Sequence, residues 1–160
     1  MASTSSSATP SKTSYEVFLS FSGADTRQNF TSHLYEALRG EKIKTFIDSV
    51  ELHRGEDMKP SLMKVIEESH ISVVVFTKGY ASSSWCLDEL VKILECRKDM
   101  ERVVLPIFYY VDPSDVEKQT GIFGDGFREL EKDHKMSMDL WRNALKESTN
   151  LSGWDSTNYR

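Results

Sequence analysis

An α/β fold, a parallel sheet with helices on both faces, is what this sequence predicts, on three observations. Apolar runs of strand length alternate with segments of helical period from Tyr15 to Glu147. The central run, Ile71 to Phe76 (ISVVVF), is the kind of apolar stretch that both faces of a sheet must bury. That run passes through a small hydroxyl-rich turn, Tyr80 to Ser84, into a helix with Leu87, Leu90, Val91 and Leu94 on one side. A strand, loop and helix in this order is where open α/β sheets hold ligands, beyond the carboxyl ends of the strands. Glu89 sits on the first turns of that helix.

The remaining elements follow in chain order. Residues 1–14 are almost entirely Ser, Thr, Ala and Pro and are expected to be a flexible segment, since they have little to bury. The first strand is expected over Tyr15 to Phe21, and Ser22, Gly23 and Ala24 make the turn after it. Asp25 can cap the next helix, with Gln28 completing a capping box. In that helix Phe30, Leu34, Ala37 and Leu38 share a face toward the sheet, while His33 lies beside the stripe and faces solvent. Gly40 ends it, and Ile43 to Ile47 is the second strand. Asp48 to Lys59 is a charged surface loop around Gly55, followed by a helix from Pro60 to Ser69 with Leu62, Val65 and Ile66 inward.

Val103 to Tyr110 is the fourth strand, and Ser114 with Glu117 forms a second capping box after Pro113. Gly121, Gly124 and Gly126 mark a loop before a helical stretch from Phe127 to His134, and Met138 to Glu147 is helical around Leu140, Trp141, Ala144 and Leu145. No later run has the length or pattern of a strand.

Composition excludes several classes of function. A chain of 160 residues, 39% hydrophobic and 28% charged, has the size and content of one globular domain. Its net charge of −5 gives no support for a general nucleic-acid or anionic-membrane binder. No apolar run approaches the roughly 18 residues that cross a bilayer. Cys86 and Cys96 fall ten residues apart in one predicted helix. That is about 15 Å along its axis, too far for a disulfide, so both read as buried thiols in a reducing compartment. The glycines after Gln119 lack the spacing of a dinucleotide fingerprint, and no Gly-Lys-Ser/Thr phosphate loop is present.

Several separated stretches, in order, resemble plant Toll/interleukin-1 receptor (TIR) domains. They are YEVFLSFSGADTRQNFTSHLYEAL (Tyr15 to Leu38), TFID (Thr45 to Asp48), LHRGEDM (Leu52 to Met58), SSWCLDEL (Ser83 to Leu90), VLPIFYYVDPSDV (Val104 to Val116) and QTGIF (Gln119 to Phe123). The resemblance implies a TIR domain over residues 15–154 with a tail at 155–160. It also implies a flavodoxin-like three-layer sandwich with a five-stranded parallel sheet in the order 2-1-3-4-5. Its fifth strand would be very short or lie before the final helix. What the resemblance implies about activity is cleavage of NAD+ (or NADP+) at the nicotinamide–ribose bond by a self-associating signalling module of an intracellular immune receptor, in the cytoplasm or in nucleus and cytoplasm. No tightly bound cofactor and no metal are implied. Glu89 matches the family's catalytic position. Ser22, Gly23, Arg54, Gly55, Ser83 and Trp85 match positions lining the nucleotide cleft, and Ser32 and His33 match the self-association surface.

The chemistry suits a single acid. Breaking this bond develops oxocarbenium character at the ribose, which a carboxylate stabilises. Nicotinamide leaves as a neutral group, so the second, protonated carboxyl of ordinary glycosidases is dispensable. Each residue also has a plainer reading: Glu89 as a helix-surface acid, Trp85 as core filling, Ser83 or Ser84 as a helix cap, and Arg54 as a solvated loop charge. His33 has no acid partner of triad type and reads as an interface residue. Many relatives read Phe-Arg-Gly where this chain has Phe21, Ser22 and Gly23. Serine replaces a two-pronged cationic donor with one neutral hydroxyl, which favours an alternative reading as a catalytically weak homotypic scaffold.

Overall fold

β1 (Val17–Ser20) lies between β2 (Thr45–Ile47) and β3 (Ile71–Phe76), and β4 (Val103–Phe108) and β5 (Trp154–Asp155) complete a sheet in the order β2-β1-β3-β4-β5. All four pairings are parallel, with Ser20 opposite Val74 and Phe76 opposite Phe108. This is the order expected of a flavodoxin-like sandwich, seen in a computed structural model that describes residues 15–22, 30–47 and 60–156. The N-terminal segment, the proposed Asp25 cap and the Asp48 to Lys59 loop lie outside the described residues.

Strand alternation divides the core in two. Phe18, Val74, Phe76, Val104 and Phe108 point to one face. There they meet α2 (Pro60–Glu68), α3 (Ser84–Met100), α5 (Gly121–Glu129) and α7 (Met138–Ser148) through Ile66, Leu87, Leu90, Phe123, Phe127 and Trp141. Val17, Leu19, Phe21, Val73 and Val75 point to the other face and pack on α1 (Phe30–Gly40) through Phe30, Leu34, Tyr35 and Leu38. The unbroken apolar character of β3 follows, because both of its faces are covered. Ala37 departs from expectation: it is exposed, and Tyr35 takes its place on the packed side. A large ring on the flank of the stripe covers sheet surface that a methyl group cannot reach.

Polar contacts fix how the helices dock. Lys92 of α3 reaches Glu67 of α2 at 2.7 Å, and this bond raises the lysine's pKa. Trp141 of α7 donates its indole N–H to Asp88 of α3 at 3.0 Å. Cys86 and Cys96 are free and buried in α3, as their spacing requires.

Several expectations need correction. β1, β2 and β4 are shorter than their apolar runs, because pairing ends where the chain leaves the sheet. The cap of α4 (Pro113–Lys118) is Asp112, whose carboxylate accepts from the Ser114 backbone N–H at 2.9 Å, and not a Ser114–Glu117 box. Asp wins because Pro113 suits the first helical position and so fixes the cap one residue before it. The glycine-marked stretch is helix α5, not loop; α6 (Glu131–His134) follows it. Gly124 is needed inside α5, since a Cβ there would lie 2.1 Å from the Gln119 carbonyl oxygen.

β5 comes after the last helix, and not before it, and has two residues. Gly153, immediately before β5, lies against Pro106 of β4, and a Cβ on it would fall 2.2 Å from the Pro106 carbonyl oxygen and 2.6 Å from its ring. Gly153→Ala is therefore expected to destabilise the domain by about 1–3 kcal/mol, lowering the melting temperature by about 2–4 °C for each kcal/mol. Gly40→Ala, whose Cβ would meet nothing within 4 Å, should leave the melt unchanged or raise it.

Candidate functional site

Glu89 is inside the protein. Its residue surface is 1% exposed, so the surface-acid reading is set aside. A carboxylate taken out of water must find donors, and two are in place. The Ser20 hydroxyl donates to Oε1 at 2.8 Å and the Trp85 indole N–H donates to Oε2 at 3.0 Å.

Each donor arrives by a simple rule of local structure. Ser83 is the N-cap of α3, extended at φ −111° and ψ 113°, and its Oγ accepts from the Cys86 backbone N–H at 3.2 Å. That cap fixes the helix phase, which puts Trp85 and Glu89 four residues apart on one side. Ser20 ends β1 on the same sheet face as Phe18, the face on which α3 packs. The site thus stands at the carboxyl ends of β1 and β3, as such sheets favour.

Behind Ser20 is Tyr80, in the 3-10 turn Tyr80–Ser82 that joins β3 to α3. Its phenol oxygen lies 2.8 Å from Ser20 Oγ and 3.1 Å from the Cys86 carbonyl oxygen, two acceptors within reach of its one proton. Burial pushes the Tyr80 pKa well up, the Cys86 and Glu89 charges push the same way, and the Ser20 hydrogen bond opposes them. The Cys86 thiol in turn donates to the Phe21 carbonyl at 3.4 Å. Ser20, Tyr80 and Cys86 are wholly buried, and every buried side-chain N or O atom among the described residues has a partner.

Of the residues singled out in the sequence, Glu89, Trp85 and Ser83 converge here, and Ser22 is buried just beyond β1. Trp85 is buried, in keeping with the core-filling reading, and its indole N–H also bonds the carboxylate. Gly23, Arg54 and Gly55 lie outside the described residues. Ser32 and His33 are elsewhere, on α1, whose packed side meets the opposite face of the sheet. Ser32 is half-buried and His33 exposed. Ser20, Tyr80 and Cys86 join the site without having been among its sequence candidates. The available signals were a serine interrupting the apolar first strand and a tyrosine opening the hydroxyl-rich turn. Among the described residues no group of His, Cys, Asp and Glu could hold a metal ion, and no helix is long and apolar enough to cross a membrane.

Comparison with known proteins gives this geometry a family. The model of the family described as TIR domain matches residues 14–160. The chain is 58% identical over 153 residues to Disease resistance protein RPV1 of Vitis rotundifolia, covering 94% of this chain and 11% of that protein. It is 51% identical over 156 residues to TMV resistance protein N of Nicotiana glutinosa, covering 96% of this chain and 13% of that protein. It thus spans little more than a tenth of these relatives. Among solved structures, the TIR domains of the activated Roq1 resistosome, which directly recognises the pathogen effector XopQ, superpose with a TM-score of 0.82. That match has 49% identity and covers 91% of this chain and 90% of the other.

The hydrogen bond to Oε2 gives a stability test. Trp85→Phe keeps a ring in the core and removes the N–H donor, so it should destabilise by about 1–3 kcal/mol in urea unfolding. Met136→Leu, at an almost fully exposed position, should stay within about 0.5 kcal/mol of the parent.

Proposed function

The chain belongs to the TIR family, and on that premise we propose that it is a self-associating signalling module of plant immunity that cleaves NAD+ at the nicotinamide–ribose bond. One observation carries the reading: a single carboxylate, Glu89, is held by donors at both oxygens at the carboxyl end of a parallel sheet. The close likeness to resistance proteins, and to the TIR domains of a resistosome, supports the signalling context and the self-association.

On this reading Glu89 faces the ribose and stabilises positive charge as the bond to nicotinamide lengthens. The leaving group departs neutral, and water attacks the ribose carbon, giving nicotinamide and an ADP-ribose product. Ser83 and Trp85 stand beside the carboxylate and Ser22 lies just beyond β1; Gly23, Arg54 and Gly55, outside the described residues, are assigned to substrate binding by their match to the family's positions. NADP+ carries the same scissile bond and is accepted on the same chemistry. Contact between protomers through Ser32 and His33 brings the cleft into its working form, since a carboxylate 1% exposed must be uncovered before a ribose can touch it.

The second reading, a homotypic scaffold without useful catalysis, is favoured by Ser22, where many relatives have arginine. Nicotinamide release separates the two. Wild-type protein is expected to release nicotinamide from NAD+, with Glu89→Ala at least about 100-fold slower and Ser22→Arg equal or faster. No release from wild type, with activity appearing in Ser22→Arg, establishes the scaffold instead.

Self-association has its own measurement. Mass by light scattering is expected to rise with protein concentration, and His33→Ala together with Ser32→Ala to weaken that association about tenfold. A strictly monomeric parent at high concentration rejects it.

A further inference from the structure

Ser20 is a polar side chain in a position where an apolar one would pack. It is wholly buried, beside Phe18 on the sheet face that carries the larger core. An alanine there would bury no polar atom. The hydroxyl is retained against the desolvation cost of about 1–3 kcal/mol that an unpaired group would carry, and its partners are a carboxylate and a phenol.

We propose that Ser20 is a positioning residue, backed by Tyr80, that anchors Glu89 Oε1 and leaves Oε2 as the oxygen that meets the substrate; this rests on Glu89 being the reacting carboxylate. The proton count sets the direction of the chain. Ser20 has one hydroxyl proton, and it goes to Oε1. The 2.8 Å contact between Ser20 and Tyr80 must then be filled by the phenol proton, which has the Cys86 carbonyl at 3.1 Å as its other acceptor. Burial keeps that phenol protonated. Hydrogen bonds in series polarise one another, so Tyr80 strengthens what Ser20 offers to the carboxylate.

The two oxygens are not equivalent. Ser20 belongs to a strand paired with both β2 and β3, and its hydroxyl is held in turn by Tyr80, so Oε1 is tied to the sheet. Trp85 holds Oε2 from the first turn of α3, the same helix that carries Glu89, so that bond ties the carboxylate to no second element. The anchored oxygen is therefore Oε1, and the releasable one Oε2.

The test is steady-state nicotinamide release over a range of NAD+ concentrations, with each variant's folded fraction measured by its melt. Ser20→Ala, and Ser20→Cys, which keeps the volume but has a weak donor, should each lose about 10- to 100-fold in kcat. Their KM should stay within about threefold of the parent, because the lost interaction acts on the reacting carboxylate and not on binding. Tyr80→Phe should lower kcat about three- to tenfold in the parent and add nothing in Ser20→Ala, since it acts through the same oxygen. The inference is overturned if Ser20→Cys keeps the parent kcat, if the loss falls on KM, or if the double variant loses the product of the single losses. A parent that releases no nicotinamide overturns the reading of Glu89, and the inference falls with it. A parent that is active, with Glu89→Ala inactive and Ser20→Cys unimpaired, sinks the inference alone.

Discussion

A carboxylate buried between a strand and a helix constrains everything around it. An ion of this kind loses several kcal/mol of hydration, which only well-placed donors offset. One donor to Glu89 comes from β1 and the other from its own helix, so the register of the sheet and the phase of α3 become a single problem. If α3 started one residue later, Glu89 would turn by about 100° away from Ser20. The Ser83 cap, which sets that start, is thus as much a part of the site as the acid it aims.

The same constraint explains the unequal use of the two sheet faces. Polar groups are gathered on the side of α3, where Ser20, Tyr80, Cys86 and Glu89 bond one another within an apolar surround. The face under α1 is filled by the apolar side chains of Val17, Leu19, Phe21, Val73 and Val75. A dry shell strengthens each hydrogen bond inside it and makes each unpaired group expensive. The surrounding helices are also tied together at their edges, by Lys92 to Glu67 and Trp141 to Asp88.

Much of this architecture is legible from residue order, and the exceptions share a physical origin. β3 and α2 stand out because burial on one or two faces imposes a period that a linear reading detects. β5 does not, because two residues show no period and its place depends on Gly153 meeting Pro106, a contact between positions 47 apart. α5 was masked by its glycines, whose local preference is overridden by packing against Gln119 and the 3-10 turn. At the site, Glu89, Ser83 and Trp85 were visible through a compact motif. Ser20 and Tyr80 were not, since a hydroxyl in a strand and a phenol in a turn acquire their meaning only when sixty residues of intervening chain bring them to 2.8 Å.

A sealed acid and an acid that reacts can be the same residue in two arrangements. In the arrangement described here the indole of Trp85 takes one oxygen and core side chains exclude water. Any partner that binds the uncovered arrangement better shifts the population toward it by its differential affinity, and by nothing else. A tenfold preference shifts the ratio tenfold, so a modest uncovering cost of about 3 kcal/mol needs a preference of roughly 150-fold to be balanced. A surface shared between several protomers supplies preferences of that size more readily than a small substrate alone. On the proposed reading the burial of Glu89 serves the signal: a lone protomer keeps its carboxylate covered, and chemistry waits on assembly.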